Sequence, residues 1–267
     1  MMNITDKNIE KYIKNFKTHF NGSSRQPFHE IRKNAIERVE SLGFPNTKQE
    51  EWRFTNPAPI IKSDFKIAEK NNLPSVSEKD IEPFLIKDWV GSRVVFIDGF
   101  YSEALSTIKD VPGISINSLL QNLEENDETV SRISSIALFE NEVFTALNTA
   151  FTDDGSFINI AENREIKDSI HVLHISSTSG TLTTNRNMIL VGKNAQATVI
   201  ESYHSLNNDG GFVNTVTEIF VDENAKFNHY KLQDESQNHF HIGTTAILQK
   251  ANPSPTPYFC PFCLASI

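Results

Sequence analysis

Cysteine is almost absent from this chain. Residues 1–259 contain none, and the only two, Cys260 and Cys263, sit in the closing stretch "YFCPFCLASI". A disulfide framework is therefore excluded for nearly the whole length. Long apolar runs are missing too, since stretches such as "VVFI" and "MILV" are far too short to span a bilayer. The opening "MMNITDKNIEKYIKNFK" lacks an apolar h-region and does not read as a secretory signal. Positive charge is in deficit, with 25 Lys and Arg against 34 Asp and Glu and a net charge of −9. Such a surface repels phosphate backbones, and only scattered lysines oppose it, so nucleic acid is not an expected partner. The expectation is a soluble cytoplasmic protein without a membrane partner.

Familiar catalytic devices are missing as well. Gly192-Lys193 is followed by Asn194 where a P-loop needs Ser or Thr, and no glycine precedes it at the required spacing. Neither a Rossmann glycine pattern nor a G-x-S-x-G elbow occurs. The carboxylate pairs Glu124-Glu125 and Asp153-Asp154 fall at expected helix ends and turns, where solvated charge is ordinary.

What is present is enough to build a core: 38% of residues are apolar, with 19 Phe among them. Residues 4–20 read as an amphipathic helix, with Ile9, Tyr12, Ile13, Phe16 and Phe20 spaced by three and four and Asn21-Gly22 as a stop. Lysines 11, 14 and 17 lie mostly off that stripe, either as a solvated face or as a membrane-touching one. A second helix spans about Pro27 to Leu42, buries Phe28, Ile31, Ala35, Val39 and Leu42, and stops at Gly43. In "GFPNTKQEEWRFTN", Thr47 is a candidate cap with Glu50 as its partner. Trp52 and Phe54 then read as an aromatic pair tucking the loop down, or as an interaction motif. Residues 64–90 read as linker or irregular packing. "SRVVFIDGFYSEAL" reads as strand, Asp98-Gly99 turn and strand, and short helices follow in "INSLLQNLEEN" and "ENEVFTALNTAFTDDG".

From residue 156 the period changes from helical to alternating, in "SFINIA", "SIHVLHIS", "NMILV", "ATVIESY", "VTEIFV", "KFNHYKL" and "TTAILQ". A repeat runs through them. Asn194-Ala195 falls on Asn224-Ala225 and Ile189 on Ile219 at an offset of 30, while Asn163 falls on Asn194 at 31. Strand pairs recurring at a fixed period suggest stacked coils, each burying its neighbour's apolar face. An evenly spaced sandwich is the rival arrangement.

Two sets of residues are candidate ligands. His239 and His241 are two apart in a strand-like segment, which points them to one face, as in metal-holding β-barrels. No carboxylate follows them, so they read as half-buried strand residues with a polar tip ahead of a metal site. Cys260 and Cys263 have redox spacing, but only "LASI" follows where a helix N-terminus would have to activate the thiol. C-x-x-C alone is also only half a zinc site. The preceding "ANPSPTPY" breaks the strand period, so the tail from about residue 252 reads as an aberrant appendage.

Several segments together carry a resemblance to a known family. "NAIERVESLGFPNTKQEEWRFTN", "RVVFIDGFYSEALS", "FTALNTAFTDDGSFINIAENREIKDSIHVLHI" and the repeats ending at "HFHIGTTAILQKA" resemble, in order and spacing, the SufD family of the SUF iron–sulfur assembly machinery. The likeness covers about residues 25–251. It implies a mostly β fold in which a helical N-terminal region, 1–155, leads into a right-handed parallel β-helix, incomplete here, at 156–251. The tail, 252–267, matches nothing in the family and suggests a C-terminal truncation or frame shift. The resemblance further implies a non-catalytic scaffold that pairs with SufB through the β-helix and acts with the ATPase SufC, which docks on a C-terminal domain not found in this sequence. An iron–sulfur cluster is then expected at the level of the complex. The near absence of cysteine favours SufD over SufB. Glu51, Trp52, Arg53 and Thr55 are signature positions without an assigned role, and no family ligand is carried onto this chain. The alternative is a metal- or thiol-dependent enzyme using the strand histidines or Cys260 and Cys263.

Overall fold

The structure, a computed structural model, describes residues 7–20, 28–250 and 262–266, the last five through their backbone. The expected boundaries at Asn21-Gly22 and Pro27, and the thiol of Cys260, lie outside the described residues.

Seven α-helices are described: α1 (Lys7–His19), α2 (His29–Leu42), α3 (Ala58–Lys62), α4 (Glu78–Ile81), α5 (Leu119–Glu125), α6 (Asp127–Arg132) and α7 (Val143–Phe151). The strands are β1 (Lys66–Ile67), β2 (Arg93–Ile97), β3 (Phe100–Tyr101), β4 (Ile114–Ser118), β5 (Ser156–Ile160), β6 (Ile170–Ser176), β7 (Thr181–Val191), β8 (Gln196–Ser205), β9 (Phe212–Val221), β10 (Lys226–Asp234), β11 (Phe240–Gln249) and β12 (Phe262–Ser266).

From β5 to β11, successive strands alternate between two sheets. The first has the order β12-β11-β9-β7-β5-β4, with β1 beside β7, and the second has β10-β8-β6-β2-β3. Within each sheet the strands of consecutive coils pair in parallel, giving a parallel β-solenoid of about three turns rather than a sandwich. The register follows the repeat. Ile189 pairs with Ile219, and the column extends to Ile158 below and Ile247 above. Alternation sends these residues between the sheets, where they pack with Val94, Val172 and Val199 into one apolar cluster.

The corners explain why asparagine recurs. Asn163, Asn194 and Asn224 all adopt left-handed φ, at 59°, 57° and 57°. Asparagine tolerates that region better than most residues. Stacking turns their side chains into a ladder, in which Asn194 Nδ2 donates to Asn163 Oδ1 (2.8 Å) and Asn224 Nδ2 to Asn194 Oδ1 (3.2 Å).

The N-terminal helices cover the outer face of the first sheet. Tyr12, Phe16, Ala35 and Val39 pack with α7 and with Leu182, Phe212 and Ile242 of the strands. Every residue of α7 is buried, and Asn148 reaches past it to donate to the carbonyls of Asn185 (2.9 Å) and Asn214 (2.8 Å). Gly155, at the entry to β5, sits so close to the Arg186 carbonyl that an added Cβ would lie 1.7 Å from its oxygen.

Several details depart from expectation. Helix α2 ends as expected, with Gly43 at φ 70° and its N–H on the Val39 carbonyl, but its stripe also buries Arg32 completely. Its Nη2 donates to the Thr152 carbonyl (2.6 Å), and the guanidinium lies over the rings of Phe20 and Phe28. Thr47 caps nothing. The turn before Glu50 is held by Gln49 Oε1, which accepts from the Asn46 N–H, and by Asn46 Oδ1, which accepts from the Lys48 N–H. The Asp98-Gly99 turn forms as read, with φ of 46° and 94°, yet β2 also pairs with β6 and so extends the second sheet of the solenoid. The helix expected in "INSLLQNLEEN" starts only at Leu119, with Ser118 as its cap, because Ile116, Asn117 and Ser118 belong to β4. Beyond the Pro-rich segment, β12 runs antiparallel to β11, placing Cys263 opposite Thr244.

Candidate functional site

The apolar filling between the sheets gives way to polar side chains partway along each strand. On β8 the inward positions read Ala197, Val199, Glu201 and Tyr203, and on β10 Phe227, His229 and Lys231. The stacked coils bring these together around Glu201, whose side chain is fully buried.

Glu201 accepts hydrogen bonds from Tyr203 Oη (2.8 Å) and Thr217 Oγ1 (3.0 Å). His229 Nε2 stands 3.1 Å from Oε1, a close polar contact without hydrogen-bond alignment. Burial alone would raise the carboxyl pKa, but His229 and then Lys231 outweigh it and hold the group well below the usual carboxylate range. Tyr203 also bonds to Thr215 Oγ1 (3.0 Å), with the Lys231 ammonium 4.9 Å over its ring and His241 edge-on at 4.8 Å. Burial, followed by the adjacent Glu201 charge, pushes its phenol pKa well up. The arrangement is a buried, ionised carboxylate ringed by Tyr203, Thr217, His229 and Lys231.

The six histidines of the strand region are more deeply buried than half-exposed strand residues would be, and they divide among three places. His174, His229 and His241 face the space between the sheets. His171 and His204 lie on the outer face of the second sheet, against Trp89 (5.5 Å) and stacked on Phe84 (4.7 Å). His239 precedes β11, with Nδ1 on Ser236 Oγ (2.8 Å), while His241 Nδ1 meets Glu235 Oε2 (2.8 Å). Burial lowers the pKa of both His239 and His241. Each thus has its own separate partner. Among the described residues no group of three or more His, Cys, Asp or Glu is arranged to hold a metal ion.

The signature positions lie elsewhere. Glu51 and Trp52 are in a 3-10 turn, where Trp52 packs on Phe144 of α7 at 5.3 Å, and Glu51 adds to the desolvation that raises the Glu142 carboxyl. Arg53 lies over the Phe54 ring, and the Thr55 N–H donates to the Trp52 carbonyl. Only one member of the expected aromatic pair tucks in, because Phe54 is 92% exposed. Sequence reading missed Glu201, Tyr203 and Lys231. Their signal was parity: Glu201 and Tyr203 continue the inward alternation of Ala197 and Val199.

Fold and site together define a parallel β-solenoid protein with a helical N-terminal cover and a charged, buried interior. Residues 2–172 match the SufBD protein N-terminal region, and residues 174–254 match the SufBD core domain of SUF system FeS cluster assembly. The chain belongs to the SufBD family. It is 33% identical over 229 residues to an iron–sulfur cluster assembly SufBD family protein of Synechocystis sp., covering 82% of this chain and 50% of that one. It is 26% identical to the chloroplastic protein ABCI7 of Arabidopsis thaliana, covering 86% of this chain and 49% of that one. With the iron–sulfur cluster assembly protein SufD of Escherichia coli it shares 25% identity, over 80% of this chain and 48% of that one. The chain spans about half the length of these relatives.

Proposed function

We propose that this chain is a non-catalytic scaffold component of iron–sulfur cluster assembly, pairing with SufB through its β-solenoid and acting with the ATPase SufC in the cytoplasm. The observation that carries this reading is the match to both SufBD regions in their proper order along one helical-then-solenoid chain. The named relatives, two of which are described as iron–sulfur cluster assembly proteins, support the same reading. In it the cluster belongs to the assembled complex, and nucleotide turnover belongs to SufC.

Co-expression of the tagged full chain with SufB and SufC, followed by size-exclusion chromatography with light scattering, tests the proposal. A stable complex containing SufB is the expected result. Recovery of the chain without either partner overturns the pairing. Robust ATP turnover by the purified chain alone overturns the scaffold role. Stoichiometric metal that is lost when Cys260 and Cys263 are replaced by serine points instead to a metal- or thiol-dependent enzyme.

A further inference from the structure

Among the described residues, His174 is the one inward histidine for which neither ring nitrogen meets a protein group. The residue is 5% exposed. Its ring is clamped between Phe96 (centroids 5.1 Å apart, planes 19° apart) and Tyr203 (4.5 Å, 4°), so both faces are covered and its orientation is fixed. Hydrogen bonding is then left to the ring edge, where neither Nδ1 nor Nε2 meets a protein group. Burial pushes the pKa of this imidazole down to about 3, which leaves it neutral near pH 7 with one nitrogen donating and the other accepting.

Beside it lies a cavity of about 10 Å³ whose lining includes His174, Thr183, Asn185, Tyr203 and Glu235. Two more lining residues have an unmatched oxygen, Asn185 Oδ1 and Glu235 Oε1. The rest of each group is committed: Asn185 Nδ2 donates to the Gly99 carbonyl (3.1 Å), and Glu235 Oε2 meets His241 Nδ1 (2.8 Å). The site therefore offers two spare acceptors and an imidazole edge. Its occupant must donate twice, form a bond with a neutral imidazole, and fit a volume of about one solvent sphere.

We propose that this cavity is a binding site for a single structural water, which bridges His174 on β6 to Asn185 on β7 and to Glu235. The water ties the two sheets together where the isoleucine column no longer does so. It also accounts for one His174 ring nitrogen, Asn185 Oδ1 and Glu235 Oε1, each of which would otherwise carry an uncompensated desolvation cost.

Two measurements on the full chain test this. A high-resolution crystal structure is expected to show an ordered peak within hydrogen-bonding distance of a His174 ring nitrogen and of Asn185 Oδ1. An empty cavity overturns the proposal. The second is thermal unfolding of His174→Phe, which keeps the aromatic stack and removes both nitrogens. With the water present, Tm falls by roughly 2–6 °C, because the bridge is lost and the oxygens it served are stranded. A rise in Tm means that the site was dry and overturns the proposal. Should His174→Phe fail to fold, the crystal structure decides alone.

Discussion

Arg186 and Glu218 form an ion pair that solvent does not reach, with Nη2 2.8 Å from Oε2 and both side chains fully buried. The pair lies on the outer face of the first sheet, under the helical cover. Arg186 Nη1 also donates to Thr149 Oγ1 of α7 (2.8 Å), and Glu218 accepts the backbone N–H groups of Ser134, Ile136 and Ala137. One carboxylate thus ties two coils of the solenoid to the segment that crosses them. Glu218→Ala is expected to cost about 3–5 kcal/mol in urea titrations, since it strands a buried guanidinium. Replacing both partners, Arg186→Met with Glu218→Leu, does not restore stability, because three backbone donors lose their acceptor. A double variant as stable as the wild type would refute this account of the clamp.

Ile189 and Ile219 are adjacent and fully buried in the inner column. Ile189→Ala and Ile219→Ala are each expected to lower stability by about 2–5 kcal/mol. Because the two side chains line a shared space, the double variant departs from the sum of the singles by about 0.5 kcal/mol or more. Strict additivity in chemical denaturation counts against the register.

Asn194 contributes to the corner in two ways, by its left-handed backbone and by bonds in both directions along the ladder. Asn194→Ala loses both contributions, at about 1–3 kcal/mol, whereas Asn194→Gly keeps the backbone conformation without strain. Alanine should therefore be the more damaging substitution by calorimetry. The opposite order means that backbone strain at this corner is negligible.

Acid is expected to weaken the fold well before ordinary carboxylates protonate. Burial lowers His171 to about 4 and His174 to about 3 from an ordinary 6.5. His204 and Arg93 add to the shift at His171. At His174, Glu201 opposes the shift while Lys231, His241 and His171 add to it. In the window below 6.5 the unfolded chain binds protons that the native chain does not, so stability drains as pH falls toward the folded values. Each histidine contributes about 1.4 kcal/mol per pH unit there, so the pair loses about 3 kcal/mol per unit. The depressed Glu201 carboxyl adds loss in the same direction at lower pH. Urea midpoints measured at pH 7, 6 and 5 give the slope, and a flat profile excludes neutral burial of these imidazoles.

The repeat was legible because stacking is periodic. A coil of near-constant length places residue i over residue i + 30, so the Asn194 and Asn224 corners and the Ile189–Ile219 pair follow from arithmetic on the sequence. The amphipathic stripes of α1 and α2 were legible for a similar reason, since one apolar face per helix must be covered.

The polar centre was not legible in the same way, because coil lengths differ slightly at the corners. Val199 lies opposite Ile170 at an offset of 29, while Lys231 lies opposite Glu201 at 30. Those one-residue differences decide that His174 stacks on Tyr203. The docking of α7 and residues 134–137 on Arg186 and Glu218 has no period at all and joins residues some 40 to 80 positions apart. The chain by itself determined which residues point inward and that coils must stack, because alternation and repeat length are local properties. Which inward polar groups meet, and how deeply His174, Arg186 and Glu201 are cut off from water, was decided only when the coils closed on one another, because burial and charge pairing depend on neighbours supplied by other coils.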